Sequence, residues 1–127
     1  MICTYEYKND IIFLTFPETL SDNDFLLINK EIEIIEQKYS ALPHFIVNLK
    51  NVNTFNGDYQ SIQELATSRK AKKFPNHILE AIVVSNNFQM GFARMYQTCN
   101  DNPQLTIKIF QEETKAVEWI KTGGSSS

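Results

Sequence analysis

Few residues in this chain of 127 have the types and spacing of catalytic or ligating groups. Cys3 and Cys99 stand far apart, with no CxxC or Cys/His spacing around them, which reads as two ordinary buried thiols in a reducing compartment. His44 and His77 each come just after a proline, Pro43 and Pro75, in a loop leading into an apolar run. No further ligand is spaced to join either one, so no metal is expected. The chain has no GxGxxG or GxxxxGKS/T phosphate loop and no GxSxG elbow, the usual means of cradling a nucleotide or exposing an activated serine. The expectation is a protein that is not an enzyme and carries no cofactor. The one basic concentration, Arg69, Lys70, Lys72 and Lys73, has two readings. It can complement the negative end of a helix, or it can meet a phosphate or a membrane surface.

The elements that must position any site belong to one folded domain. Lys+Arg number 12 against Asp+Glu 15, a formal net charge of −3, which argues against an electrostatic grip on nucleic acid. Nine Phe, five Tyr and one Trp supply apolar bodies that disordered chains lack. A chain of about 130 residues buries roughly two-thirds of its unfolded surface, enough for a core without disulfides. No apolar run approaches the roughly 20 residues of a bilayer span, and no signal peptide is evident at the start. A cytoplasmic domain over residues 1–122 is expected, with GGSSS (123–127) as a flexible tail.

Residues 2–7 alternate, and IIFLTF follows the turn-prone Lys8-Asn9-Asp10, predicting an antiparallel hairpin. Ser21 is placed to cap a helix whose apolar positions Phe25, Ile28, Ile32, Ile35 and Tyr39 step by three and four, with Ala41-Leu42-Pro43 ending it. FIVNL (45–49) and ILEAIVV (78–84) read as central strands, apolar on both faces. Between them Asn56 or Asp58 can cap a helix over about 59–73, whose apolar face, Tyr59, Ile62, Leu65 and Ala66, is thin. Ser85-Asn86-Asn87 cap a third helix with Phe88, Phe92, Met95 or Tyr96, and Cys99 inward. LTIKIF (105–110) reads as a strand nearer the sheet edge, and a last helix spans about 112–121. The order is β-β-α-β-α-β-α-β-α, a mixed five-stranded α/β sheet with four helices. Three turns, 17–24, 51–59 and 85–89, should gather at the carboxyl ends of its strands, where helix N-termini point N–H groups outward.

The segment FIVNLKNVNTFNGDYQSIQEL resembles the STAS domain signature, in which a strand runs through a short loop to Asp-Ser-Ser-Gly and a helix. AIVVSNNFQMGFARMYQT and IKIFQEETKAVEWI are similar to the C-terminal half of the SpoIIAA-like group, with its Gly-x-x-Arg-Met step at Gly91, Arg94 and Met95 and its Ala-x-x-Trp end at Ala116 and Trp119. The likeness spans nearly the whole chain and implies a STAS (SpoIIAA-like) fold. In signalling STAS domains the serine at the start of the second helix is phosphorylated, and its charge decides whether a partner is held. The matching stretch here, Asn56-Gly57-Asp58-Tyr59, has no serine at that place. Asp58 could mimic a permanent charge, Ser61 one turn later could be the phosphoacceptor, or Asn56 and Asp58 could simply cap the helix.

The expected role is a non-enzymatic regulatory or protein-interaction domain. Its contact surface is Asn56, Gly57, Asp58, Tyr59 and Ser61, because a helix with few core contacts has surface to spare for a partner. The alternative is a carrier or sensor of a small, lipid-like apolar ligand held between sheet and helices by Phe88, Phe92, Arg94 and Met95. The same residues have a structural reading, in which the aromatics and Met95 pack the core, Gly91 allows close helix-to-sheet approach and Arg94 pairs with a carboxylate. The hairpin edge could also pair with its twin in a homodimer.

Overall fold

The computed structural model describes residues 2–124. β1 (Thr4–Lys8) and β2 (Ile11–Thr15) form the expected hairpin, with Lys8 opposite Ile11. Its two turn residues, Asn9 and Asp10, have φ of 55° and 63°, the left-handed backbone that a two-residue turn needs and that Asn and Asp tolerate best after glycine. β2, β4 (His44–Asn48), β6 (Ile78–Val83) and β7 (Leu105–Phe110) run parallel, and the sheet order is β1-β2-β4-β6-β7. This is the mixed five-stranded sheet with four helices that the periodicity predicts.

Helices α1 (Asp22–Glu36), α2 (Gln60–Lys70) and α3 (Asn87–Cys99) are the crossovers between neighbouring parallel strands. Each step moves in the same direction across the sheet, so right-handed connections place all three on one face. The larger core lies there: Leu14, Phe45, Val47 and Ile82 meet Phe25, Ile28, Ile62, Leu65 and Phe92. The last helix, α4 (Glu113–Lys121), covers the other face alone, packing Ala116, Trp119 and Ile120 on Ile11, Ile46, Leu79, Ala81 and Val83. β6 is buried at all six positions, as a central strand covered on both faces must be.

Two short strands go beyond that expectation. β3 (Thr19–Ser21) and β5 (Thr54–Asn56) pair in parallel as a separate two-stranded sheet. The first helix is also shorter than its apolar stripe, since α1 stops at Glu36 and Tyr39 lies in the turn beyond it. At the other end Gly123 and Gly124, with φ of 69° and 80°, close α4 by donating to Ile120 O (3.0 Å) and Trp119 O (2.9 Å). Those two residues of the expected tail are therefore a helix cap. Residues 125–127 lie outside the described part.

The basic run at the end of α2 divides. Arg69 turns inward and is only 1% exposed. Its Nη1 donates to both oxygens of Glu36, at 2.9 and 3.0 Å, and its guanidinium lies over the rings of Phe45 (5.7 Å) and Phe74 (5.4 Å). Half-exposed Lys72 pairs with Glu33 at 3.3 Å. Removing one partner of a buried pair leaves an uncompensated charge, whereas a surface pair contributes little. Arg69→Met is therefore expected to lose about 3–5 kcal/mol in urea unfolding and Lys72→Met no more than about 1 kcal/mol. Equal losses would contradict this division of the cluster.

Both histidines sit at the amino-terminal ends of the strands. His44 opens β4, where its Nδ1 accepts the Leu79 N–H at 3.0 Å, and His77 Nε2 lies 2.8 Å from Thr106 Oγ1. Only an unprotonated Nδ1 can accept. Burial lowers the His44 pKa from its ordinary 6.5, Asp10 opposes this and His77 adds to it. A group whose folded pKa is depressed contributes stability above its unfolded value and loses it as pH falls through the folded value. Thermal unfolding of the wild type should thus fall more steeply below about pH 6.5 than that of His44→Asn, whose amide oxygen can accept the same N–H at any pH. Parallel pH profiles would refute this role for His44.

Candidate functional site

The three expected turns do meet at the carboxyl ends of the strands, held by polar bonds that fasten them to one another. After β2 the chain turns at Pro17, and Glu18 O accepts N–H groups from Asn53 (2.9 Å) and Thr54 (3.1 Å). That bond pair sets β3 beside β5. Gln89, on the first turn of α3 and 1% exposed, joins the other two loops. Its Nε2 donates to Lys50 O (3.0 Å) and Val52 O (2.9 Å), while its Oε1 accepts from Ser85 N (2.7 Å) and Ser85 Oγ (3.0 Å). Asn86 caps the helix through Gln89 N at 2.9 Å. The Asn-x-x-Gln spacing is that of a capping box, and is the sequence signal for this residue.

Asp22 ties the first turns of α1 and α2. Ser21 caps α1 in a capping box with Asp24, which leaves the Asp22 carboxylate free to face the loop after β5. Its Oδ1 accepts from Ser61 Oγ at 2.6 Å and its Oδ2 from Asp58 N at 3.3 Å. A carboxylate between two helix N-termini is favoured by both dipoles. Asp58 Oδ1 in turn accepts Gln60 N at 3.0 Å from the residue before the N-cap, but the N-cap of α2 is Tyr59, without a side-chain cap bond, and Asn56 lies in β5, so neither expected residue is the N-cap. Ser61 is 6% exposed, its hydroxyl engaged by Asp22. A kinase would reach it only after that bond opens.

Above these bonds lies a cluster of aromatic rings. Phe55 meets Phe25 and Phe92 edge-on, at 5.6 and 5.2 Å between centroids, and Tyr59 at 5.7 Å. Phe92 also touches Tyr59 (5.7 Å) and Phe88 (4.9 Å). Tyr59 is 46% exposed and Phe88 39%, although the helical phase predicts Phe88 inward; Gln89 takes the inward place instead. Beneath the cluster a cavity of about 60 Å³ lies between the sheet and α1–α3. Phe25, Leu65 and Phe92 are among its apolar walls, and Glu80 and Tyr96 are among its few polar ones.

The structure separates the residues expected to hold an apolar ligand. Phe92 lines the cavity, Phe88 and Arg94 are exposed on α3, and Met95 is half-buried against the edge of the core. Gly91 is exposed with nothing within 4 Å of where a Cβ would stand, so close packing is not its role. The Cys3 thiol is pushed up to about 12 by burial, with Glu31 and Asp24 adding to it, and is no nucleophile. Among the described residues no group of three His, Cys, Asp or Glu side chains is arranged for a metal, and no helix is long and apolar enough to cross a membrane.

No family model and no curated protein matches this sequence. Among solved structures the chain is similar to an uncharacterized protein of the DUF3478 family, with a SpoIIAA-like fold, from Shewanella loihica PV-4. The match has a TM-score of 0.62 and covers 92% of this chain and 90% of that one, at 13% sequence identity. The fold is SpoIIAA-like, as the sequence resemblance implies.

Gly57 offers a check on the Asp22 network. A Cβ there would stand 2.6 Å from the Asp22 carboxylate, closer than atoms pack. Gly57→Ala should displace that carboxylate from Ser61 and Asp58 and cost about 1–2 kcal/mol, whereas in an Asp22→Ala background the same change should cost almost nothing. An equal cost in both backgrounds, read by chemical denaturation, would place the effect elsewhere.

Proposed function

We propose that this chain is a non-enzymatic interaction domain that binds another protein through the rim at the carboxyl ends of its strands. The contact surface is Asn56, Gly57, Asp58 and Tyr59, extended by Phe88. Ser61 supports it from beneath through Asp22. The observation that carries the reading is the exposed ring pair, Tyr59 and Phe88, both seated on buried Phe92. Large aromatics on a rigid base lose little side-chain entropy on binding and are the usual anchors of protein interfaces. Glu18, Asp22, Asp24 and Asp58 lie on the same rim, so the partner segment suited to it is apolar with basic flanks. A non-catalytic role is supported by how the rim's buried polar groups are used. Gln89 and Ser61 are engaged in fastening loops and helices.

The cavity favours a second reading, carriage of a small apolar ligand. At about 60 Å³ it is less than half the size of the roughly 150 Å³ engineered cavity that takes up benzene, so a lipid chain would have to open it.

The test compares affinity capture from cell extract by the wild type, by Tyr59→Ser/Phe88→Ser, and by Leu26→Ser/Ile34→Ser on the exposed face of α1 as control. The reading expects a protein held by the wild type and the α1 variant but lost by at least tenfold in the rim variant, with unfolding midpoints unchanged. Retention by the rim variant would overturn it. An apolar molecule extractable from the purified wild type, with the rim change neutral, would transfer the conclusion to the second reading.

A further inference from the structure

Three ionisable side chains and a tyrosine meet inside the larger core. Arg69 comes from α2, Glu36 from α1, Tyr96 from α3 and Glu80 from the middle of β6. Glu80 is 5% exposed, and Tyr96 Oη donates to its Oε1 at 3.2 Å. Its neighbours in the sheet, Phe45 on β4 and Ile107 on β7, carry no charge, and α4 lies on the opposite face. Arg69 Nη1 is engaged by both oxygens of Glu36.

The charges in this cluster do not balance if every group is ionised. One guanidinium and two carboxylates leave a net charge of −1 inside an apolar core, where an uncompensated ion is among the most costly things a fold can hold. The Arg69–Glu36 pair is neutral by itself. Glu80 is the group left without a cation of its own, and it borders a cavity of about 60 Å³, several times the roughly 10–15 Å³ that one water requires.

We propose that Glu80 holds a proton in the closed fold, and that loss of this proton as pH rises draws water into the cavity and loosens α3 where it covers that cavity, so that the domain contains a proton-gated opening. This does not depend on what the rim binds. Burial raises the Glu80 carboxyl above its ordinary 4.5; Arg69 and the Tyr96 hydrogen bond pull it down, and Glu36 raises it further. The protonated form is therefore the one the fold prefers. Its stabilising contribution is complete below about 4.5 and is lost as pH rises through the higher folded value. Water drawn in would reach α3 through Ala93 and Phe92, which line the cavity, while the Tyr96 hydrogen bond is kept, because an ionised acceptor strengthens it.

Carboxyl carbon NMR of the full chain, with the Glu80 signal assigned by its absence in Glu80→Gln, reads the proton directly. Amide exchange of α3, corrected for its intrinsic pH dependence, reads the opening. Glu80 is expected to titrate above the other glutamates, and α3 opening to rise by up to about tenfold per pH unit beyond that midpoint, the limit for one proton. Glu80→Gln should abolish the rise. Should that variant not fold, Glu36→Gln provides the second test: Arg69 is then free to pair with Glu80, and the Glu80 midpoint should fall. An ordinary midpoint in the wild type, α3 opening independent of pH, the same slope in Glu80→Gln, or an unmoved midpoint in Glu36→Gln would each overturn the proposal.

Discussion

A right-handed crossover puts its helix on a face decided by the direction in which the sheet is growing, and here β2, β4, β6 and β7 grow in one direction only. Everything asymmetric about the molecule comes from that constraint. α1, α2 and α3 are forced onto one face, and only the helix after the last strand is free to cover the other. The sheet has no point at which its winding reverses, so it lacks the crevice between oppositely placed helices where doubly wound sheets hold cofactors. What it has in exchange is a three-helix layer over one face. Three helices meeting a twisted sheet do not fill the space evenly, and the small cavity lies in that layer.

The same constraint aligns the first turns of α1, α2 and α3 along one rim. Unpaired N–H groups and positive dipole ends are thereby concentrated, and the chain satisfies them with its own side chains: Ser21 and Asp24 on α1, Asp22 and Asp58 at α2, Asn86 and Gln89 on α3. A rim so fastened is stiff. Stiffness lets Tyr59 and Phe88 remain exposed without collapsing onto the core, because Phe92 already occupies the place beneath them.

Most of the fold was legible because its signals are local and redundant. The Asn9-Asp10 turn, the Ser21 cap and the double-sided apolar runs of β4 and β6 each contain the residues that decide them. β3 and β5 were not legible, since a three-residue strand has no period of its own and exists here because Glu18 O holds its partner in place. Phe88 is expected inward, yet Gln89, one position or about 100° of helix away, takes that place, because hydrophobicity favours the ring inward while four available hydrogen bonds favour the amide. Arg69 was read as a surface cation at a helix end. Nothing in its own segment announces Glu36, thirty-three positions away, or the two rings that cover it. The sequence singles out Asn56 to Tyr59 as a candidate surface, but two of the residues that shape this segment, Asp22 on α1 and Phe92 on α3, come from distant parts of the chain, and only Phe55 is its neighbour on β5.

Glu80 is the point where local rule and global structure disagree most. Every other residue of β6 is Ile, Leu, Ala or Val, and a leucine at this position would remove the cost of desolvating a carboxyl. The cost is contained by the surroundings and not by a dedicated counter-ion: Tyr96 donates to one oxygen, and Arg69 is close enough to lower the carboxyl pKa while bonded elsewhere. Such a group stabilises little, but it makes the packing of α3 sensitive to a single proton in a way an aliphatic side chain never could. Since Phe88 and Phe92 ride on the same helix, any loosening of α3 must also disassemble the ring cluster on the rim. The buried carboxyl and the exposed aromatics are thus joined through about two turns of α3, from Tyr96 to Phe88, with Gln89 fastening that helix to the loops.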